Sequence, residues 1–294
     1  MVMPLPDTMN WDLFIGPASM RPFNDIYTPW NWRGWWDFGT GAFGDMACHV
    51  LDPVYQALKL GYPEKVRGSS TLFNTESAPQ AETVEFTFPA RQNLPKLEMP
   101  SVKVYWYDGG LYPTRSDLLP DGENLMADGL GGAIFVGSKD TLICGCGGFK
   151  SRLVSGRIPS VKPYLRRIAG ATGYVDGPHE QDWIRACKES PGSRVESTSN
   201  FSYSGPFNEM VLLGVLAIRL QSLNKSLKWD GENMRFTNIL QSDIVKIVAS
   251  NEFKVTDGNP QFNTRYAKFN ALEAAGEYIR HKYREGWSLP AMPV

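Results

Sequence analysis

The stretch Glu82-Thr-Val-Glu-Phe-Thr-Phe88 alternates polar and apolar side chains, which predicts a strand with one buried and one exposed face. Val102–Tyr107 is rich in β-branched and aromatic residues and ends at the turn-forming Asp108-Gly-Gly110. A third strand is predicted over Lys65–Phe73. We therefore expect Glu82–Phe88 and Val102–Tyr107 to be neighbours in an open, mostly antiparallel sheet.

Outward from these strands, the pattern predicts a hairpin of Ala133–Val136 with Thr141–Cys144 and several helices. The predicted helices are Gly44–Leu60, interrupted at Asp52-Pro53, then Glu180–Lys188, Asn208–Asn224 and Ala271–Glu285. There is no regular β-α-β alternation, so the fold class is α+β with helices on one face of the sheet and no Rossmann domain. Residues 1–43 are rich in Trp, Pro and Gly and are interpreted as an extended lead-in. Residues 44–294 are interpreted as one α+β domain.

Composition excludes several classes of protein. The 294 residues carry 30 basic and 31 acidic side chains, and phosphate binding needs a basic face, so no nucleic-acid partner is expected. The longest apolar run, Met210–Leu220, is shorter than the roughly 20 residues of a membrane span, so no membrane partner is expected either. Four cysteines indicate buried thiols rather than a disulfide framework or a metal centre.

The segment Gly39-Thr-Gly-Ala-Phe-Gly44 matches the dinucleotide fingerprint G-x-G-x-x-G. A true nucleotide loop follows a buried parallel strand, so that the pyrophosphate meets the helix N-terminus. The preceding Trp32–Phe38 contains a glycine and two charges and does not have that pattern. We interpret the glycines as a flexible stretch of backbone before a helix, which other groups can approach closely. We expect this chain to bind no cofactor.

Asp45 and His49 are four residues apart and so share one helix face, where an acid and an imidazole can relay a proton. The alternatives are a solvated polar face or a two-ligand metal site. Arg33, Trp35 and Trp36 belong to a tryptophan cluster suited to stacking on sugar rings, or simply to packing the lead-in.

Several longer runs carry a resemblance: Trp11–Pro17, Asn31–His49, Trp106–Gly110 and Trp229–Met234. Together they resemble the C-terminal, substrate-binding half of the Gfo/Idh/MocA family of NAD(P)-dependent sugar oxidoreductases, in the branch common in Bacteroidetes and Planctomycetes. Neither the nucleotide glycines nor the Glu-Lys-Pro motif of that family precedes Trp11. The opening Met-Val-Met is therefore interpreted as a new start on a truncated domain, which we expect to be inactive alone.

The resemblance implies that Asp45 and His49 are a catalytic pair, with His49 exchanging a proton with a sugar hydroxyl as hydride moves to or from NAD or NADP. Asp45 would orient His49 or bind the sugar, while Arg33, Trp35, Trp36 and His179 would contact it. His179 also fits a helix cap or loop position. For residues 44–294 the family further implies a substrate-binding and oligomerisation domain, with an open, mostly antiparallel sheet and helices on one face. We expect the other face of the sheet to be apolar and to pair with a second subunit in a homo-oligomer.

Three functions remain open at the level of sequence. The first is the substrate half of a sugar or cyclitol oxidoreductase. The second is a cofactor-free carbohydrate-binding or partner protein, and the third is a lyase or hydrolase that uses the same Asp45 and His49. The compartment is unknown: no signal peptide is visible, which favours the cytoplasm, but an export signal would be lost with a missing N-terminal half.

Overall fold

The computed structural model describes residues 3–94, 97–114, 117, 119, 121–123, 131–160 and 178–290. The helices are α1 (Trp11–Ile15), α2 (Gly41–Val50), α3 (Asp52–Ala57), α4 (Pro178–Lys188), α5 (Phe201–Arg219) and α6 (Ala271–Ile279). The strands are β1 (Lys65–Ser70), β2 (Glu82–Phe88), β3 (Arg91–Leu94), β4 (Leu97–Met99), β5 (Val102–Tyr107), β6 (Gly132–Val136), β7 (Thr141–Gly145), β8 (Arg152–Leu153), β9 (Leu227–Asp230), β10 (Arg235–Phe236), β11 (Ile244–Thr256) and β12 (Asn259–Asn270). Within these ranges no helix has the length and apolar character of a membrane span.

The main sheet has five strands in the order β10-β9-β1-β2-β5, and every pairing in it is antiparallel. The predicted neighbours β2 and β5 pair directly, with Val84 opposite Trp106 and Phe86 opposite Val104. The predicted hairpin is also confirmed, since β6 pairs with β7. These pairings confirm the α+β class and the antiparallel sheet.

The inner face of the main sheet supports the helices that carry the candidate site. Val66, Phe86 and Val104 lie side by side on this face and are buried. The Phe43 ring of α2 packs on Trp106 with a centroid distance of 5.1 Å. Helix α5 lies against β1 and β2 beside α2. The position of α2 is therefore set by apolar contacts with the sheet and with α5.

The outer face of the main sheet is polar, contrary to the expectation of an apolar surface for subunit pairing. Arg67, Glu85 and Tyr105 occupy one row across it, and only the tyrosine is aromatic. Lys103 forms an ion pair with Glu85 at 2.6 Å. The alternation in β2 predicts which residues point inward, but the outward residues of β1 and β5 decide the character of the other face.

Helices α5 and α6 differ most in extent from their predictions. Helix α5 begins at Phe201, seven residues before the predicted start at Asn208, because the Asn200 side chain accepts a hydrogen bond from the Tyr203 N–H and caps it. Helix α6 ends at Ile279 rather than Glu285, since Arg280 adopts an extended conformation. The charged residues after Ile279 have no apolar stripe to hold a helix on the core.

The sequence interpretation missed the longest hairpin, in which β11 and β12 pair over most of their length. Its turn is Asp257-Gly258, with both residues at positive φ, which is the type I′ signature of a two-residue hairpin. Val245 and Ile247 at its base are buried, whereas residues 251–263 are all exposed. The Asp257-Gly258 dipeptide is the sequence signal that would have revealed this hairpin.

The lead-in contains a short helix and has a small core of its own. Trp11, Ile15 and Phe23 are buried together, and α1 lies within this segment. Arg284, near the other end of the chain, donates to the Gly16 carbonyl at 2.7 Å and to the Asp12 carboxylate at 2.6 Å. Helix α2 starts at Gly41, so the lead-in and the helix with Asp45 and His49 are continuous.

Candidate functional site

Helix α2 presents both predicted catalytic residues to solvent. Asp45 and His49 are exposed, whereas Phe43, Ala47 and Val50 on the other side of the helix are buried. The Asp45 carboxylate lies 3.6 Å from the Arg33 guanidinium Nε. We call these three residues, Arg33, Asp45 and His49, the Asp45 surface.

Arg33 is held beside Asp45 by two tryptophans. Its guanidinium carbon lies 3.8 Å from the centre of the Trp30 ring and 4.5 Å from that of Trp32. The Trp30 side chain is 66% exposed, so its ring borders the Asp45 surface without being part of the core. A cation stacked on aromatic rings keeps its hydrogen-bond donors at its edge, where a hydroxyl or carboxylate can reach them.

His49 has no fixed partner. Among the described residues none forms a hydrogen bond or ion pair with its imidazole, and Asp45 is not within bonding distance of it. Asp52, the first residue of α3, accepts a hydrogen bond from the Tyr203 hydroxyl at 2.5 Å. Burial, together with the Asp52 carboxylate, raises the pKa of Tyr203, so this hydroxyl remains a donor. The His49 imidazole is free to meet a ligand.

The remaining predicted contacts do not converge on the Asp45 surface. Trp35 packs on Tyr27 of the lead-in with a centroid distance of 4.8 Å. Trp36 points the other way and donates its Nε1–H to the Asn74 carbonyl at 3.2 Å. His179 is exposed at the start of α4, and no described contact joins it to α2. The tryptophan cluster is therefore divided between three places.

The glycine-rich segment does not fit a pyrophosphate. A Cβ on Gly39 would lie 2.3 Å from the Arg33 carbonyl oxygen, and one on Gly44 would contact Val215 of α5 at 3.3 Å. The segment follows a 3₁₀ turn over Asn31–Gly34 rather than a strand. Protein atoms fill the space that a side chain at Gly39 or Gly44 would occupy, which accounts for both glycines without a nucleotide.

A cleft of about 870 Å³ opens on the other side of the α2 start, along α5. We call it the α5 cleft; Trp36, Tyr62, Trp229 and Tyr278 supply its aromatic walls. Arg33, Asp45 and His49 do not line it.

The charged groups of the α5 cleft are partly desolvated. The Arg219 guanidinium carbon lies 3.4 Å from the Tyr278 ring centre, and its buried Nε has no hydrogen-bond partner. Burial lowers the pKa of Arg219 and raises that of Glu209, whose carboxylate accepts the Trp229 Nε1–H at 2.7 Å. The cleft therefore offers aromatic faces and an incompletely bonded cation to a polar ligand.

A buried carboxylate beneath α2 was missed by the sequence interpretation. Glu82 is 3% exposed and accepts the Phe43 N–H at 3.2 Å. Burial and the neighbouring Asp108 raise the pKa of Glu82 to about 8. The Glu82 carboxyl group also hydrogen-bonds Asp108. Asp108 accepts the Glu82 N–H and the Trp106 Nε1–H, both at 2.8 Å, and these two donors favour its charged form. The proton between the two carboxyl groups is therefore held by Glu82. The sequence signal for this burial is the alternation of β2, which places Glu82 on the same face as Val84.

Fold and site together define an α+β domain whose exposed helix carries an acid and a histidine beside an arginine. Residues 1–83 match the model of an oxidoreductase family, C-terminal alpha/beta domain, of the Gfo/Idh/MocA type. The match includes Arg33, Asp45 and His49 but covers less than a third of the chain. It supports an oxidoreductase-family C-terminal domain, in a family that generally depends on NAD(P). No curated protein sequence matches the chain.

Groups of three or more histidine, cysteine or carboxylate side chains that would hold a metal ion are absent from the part of the chain that the structure describes. Asp45 and His49 are also too far apart to hydrogen-bond, and Asp45 is turned toward Arg33. The geometry of this surface is suited to binding hydroxyl groups and moving a proton.

Proposed function

We propose that this chain is the substrate-binding and catalytic half of an oxidoreductase that acts on a sugar or cyclitol, in the branch named above. The observation that carries the proposal is the family match over residues 1–83, which contains both members of the Asp45 and His49 pair. NAD or NADP would exchange hydride with the substrate. Because the Gly39–Gly44 segment lacks the preceding strand of a nucleotide loop, the roles that we assign to this chain are substrate binding and proton transfer.

His49 is the proposed proton-transfer group. Its imidazole is exposed and has no partner among the described residues, and an imidazole can act as general acid or base, so it can take a proton from a sugar hydroxyl or return one. Asp45 would accept a hydrogen bond from a neighbouring hydroxyl while Arg33, at 3.6 Å, balances its charge. Trp30, stacked on Arg33, would pack against the C–H face of the ring.

The α5 cleft favours a second candidate function, that of a carbohydrate-binding protein without a cofactor. It is a concave site with four aromatic walls, and its volume is in the usual range for small-molecule pockets. The residues that line this cleft do not include Asp45 or His49. A sugar held in this cleft would not meet His49.

The three histidines of the chain allow one experiment to separate the two candidates. His49 lies on the Asp45 surface, His281 lines the α5 cleft, and His179 lies on α4 away from both. Imidazole proton resonances, assigned with His49→Ala, His281→Ala and His179→Ala, would be followed during titration with a panel of neutral sugars, sugar acids and cyclitols.

The first candidate predicts that a binding sugar shifts the His49 resonance and its titration midpoint, leaving those of His179 and His281 in place. A shift confined to His281 would support the second candidate and contradict the first. If no compound in the panel moves either resonance, neither surface binds these ligands and both candidates fail.

A further inference from the structure

The two ends of the α5 cleft differ in charge. Helix α5 contributes Glu209 near one end and Arg219 near the other, and their separation in sequence corresponds to about 15 Å along the helix axis. Between them, the cleft is lined by the apolar side chains of Leu212, Val215 and Leu216. The cleft therefore has an apolar floor with a single polar anchor at each end.

The acidic side chains of the cleft contact groups other than Arg219. Asp37 forms an ion pair with Arg21. Glu277 lies 3.9 Å from the Lys282 ammonium group. Glu209, at the opposite end of the cleft, accepts an indole N–H at 2.7 Å. In this arrangement none of the three carboxylates is close enough to Arg219 to form an ion pair.

Arg219 therefore carries the uncompensated charge of the cleft. Among the residues that the structure describes, no carboxylate lies within 4 Å of its guanidinium, and Asp37 acts on it only from beyond that distance. The guanidinium carbon lies 5.0 Å from the Trp36 ring centre and 3.4 Å from that of Tyr278, and the buried Nε has no hydrogen-bond partner. Because a desolvated charge without a counter-ion is costly, an anion that enters the cleft gains a strong partner.

The guanidinium and its surroundings determine which anion fits. An arginine stacked on aromatic rings presents its N–H groups at its edge, where they match the two oxygens of a carboxylate. One free positive charge is balanced by one negative charge, which favours a carboxylate over a phosphate dianion. Beyond the anion, the apolar floor and the Trp229 ring offer surfaces on which the face of a sugar or aromatic ring can pack.

We propose that the α5 cleft is a binding site for a ring-bearing monocarboxylate, a sugar acid or an aromatic acid, whose carboxylate binds Arg219 and whose ring packs on the apolar floor. The proposal rests on the second candidate function and narrows its ligand to one chemical class. It does not involve the Asp45 surface, and a neutral sugar lacks the group that Arg219 recognises.

Isothermal titration calorimetry of the whole chain tests the proposal with two pairs of probes, D-glucuronate against D-glucose and benzoate against benzamide. At least one carboxylate should bind with a dissociation constant below about 1 mM, and its neutral counterpart at least about 10-fold more weakly. The pair that shows this difference identifies the ring as that of a sugar acid or of an aromatic acid. This comparison uses the wild type and does not depend on the folding of any variant.

Arg219→Gln should raise the dissociation constant of the bound carboxylate on the order of 30-fold, the usual effect of removing one partner of a buried charge pair. Lys282→Gln is the matched control, because this lysine also lines the cleft but is paired with Glu277 and highly exposed. Its loss should change the affinity by no more than about threefold, since solvent screens an exposed charge. Unchanged circular dichroism would show that both variants are folded.

Equal binding of an acid and its neutral counterpart would overturn the proposal while leaving the second candidate function in place. Failure of all four probes to bind would also overturn it, and the His281 titration described above then decides separately whether the cleft binds sugars. Inorganic phosphate that binds as tightly as the carboxylate would contradict the choice of anion. A loss of affinity with Arg33→Gln instead of Arg219→Gln would place the carboxylate on the Asp45 surface and refute the proposed site.

Discussion

At the scale of single residues, Glu82 links the main sheet to the candidate site. Its carboxyl group lies in the core and bonds the first turn of α2, the helix that carries Asp45 and His49. Its pKa of about 8 lies above the usual value of 4.5, so between these values the folded protein holds a proton that the unfolded chain releases. The stability that this group contributes has its full value below pH 4.5 and falls as the pH rises from there to about 8.

We predict that Glu82→Gln removes this pH dependence, because a neutral amide can still accept the Phe43 N–H and donate to Asp108. The difference in Tm between variant and wild type should be small at pH 5 and grow to several degrees in favour of the variant near pH 9. Glu85→Gln, on the outer face of the same strand, is the matched control and should give no such trend. Thermal unfolding across this pH range measures both. Parallel curves for Glu82→Gln and wild type would show that Glu82 is ionised in the folded protein.

The second prediction at this scale concerns the proposed proton transfer. In an enzyme that joins this domain to a nucleotide-binding domain, His49→Ala should lower kcat by about 10²–10⁴, the usual contribution of a general acid–base. It should leave Tm within about a degree, because an exposed side chain without partners contributes little burial. Cys48→Ala, the exposed neighbour on α2, should change neither quantity. Steady-state kinetics that are equal for His49→Ala and Cys48→Ala would refute the role.

At the scale of elements, the contact between α2 and α5 determines where the Asp45 surface lies. Gly214 of α5 meets the edge of the Phe43 ring, and a Cβ there would lie 2.1 Å from one ring atom and 3.0 Å from Phe86. The close approach of the two helices depends on the absence of that atom. The helix–helix contact is therefore specified by one small residue among large apolar ones.

Gly214→Ala should accordingly destabilise the protein by about 1–3 kcal/mol, because the core must shift to admit a methyl group. Gly276→Ala provides the comparison: Gly276 is exposed within α6, nothing lies within 4 Å of its added Cβ, and alanine should stabilise the helix by about 0.5–1 kcal/mol. Urea unfolding measures both changes. A Gly214→Ala protein as stable as the wild type would mean that α2 and α5 pack more loosely than the structure shows.

At the scale of the whole molecule, the two ends of the described chain are joined, since Arg284 bonds Asp12 and Gly16 of the lead-in. The lead-in also pairs with the loop before β2, where the Trp36 N–H donates to the Glu76 carbonyl at 2.9 Å. These contacts hold Arg33 beside Asp45 and bring Trp36 to the α5 cleft. The candidate surfaces are thus assembled from segments distant in sequence.

The whole-molecule prediction is that the chain binds neither NAD nor NADP in the low micromolar range. The glycines of Gly39–Gly44 accommodate the Arg33 backbone and Val215, and no strand leads into them. Isothermal titration calorimetry with each cofactor measures this. A low-micromolar dissociation constant that Gly39→Ala abolished would make this segment a nucleotide loop after all.

The sequence by itself was sufficient for some of the local elements, although not for the hairpin of β11 and β12. Alternation in β2 identified its buried face, and the Asp52-Pro53 interruption separated α2 from α3, because both signals arise from neighbours along the chain. The i, i+4 spacing of Asp45 and His49 was also enough to place both on one exposed helix face. Helix and strand periodicities are local properties, so one sequence carries them.

Tertiary structure decided which residues meet. Trp35 and Trp36 are adjacent in sequence but lie in different environments, since the backbone there pairs with the loop before β2 and directs successive side chains to opposite sides. Alternation in β2 puts Glu82 on the face of Val84, but only the packing of α2 over this end of the strand buries the Glu82 carboxyl group. Contacts between residues distant in sequence depend on the packing of whole elements, and no local pattern encodes that packing.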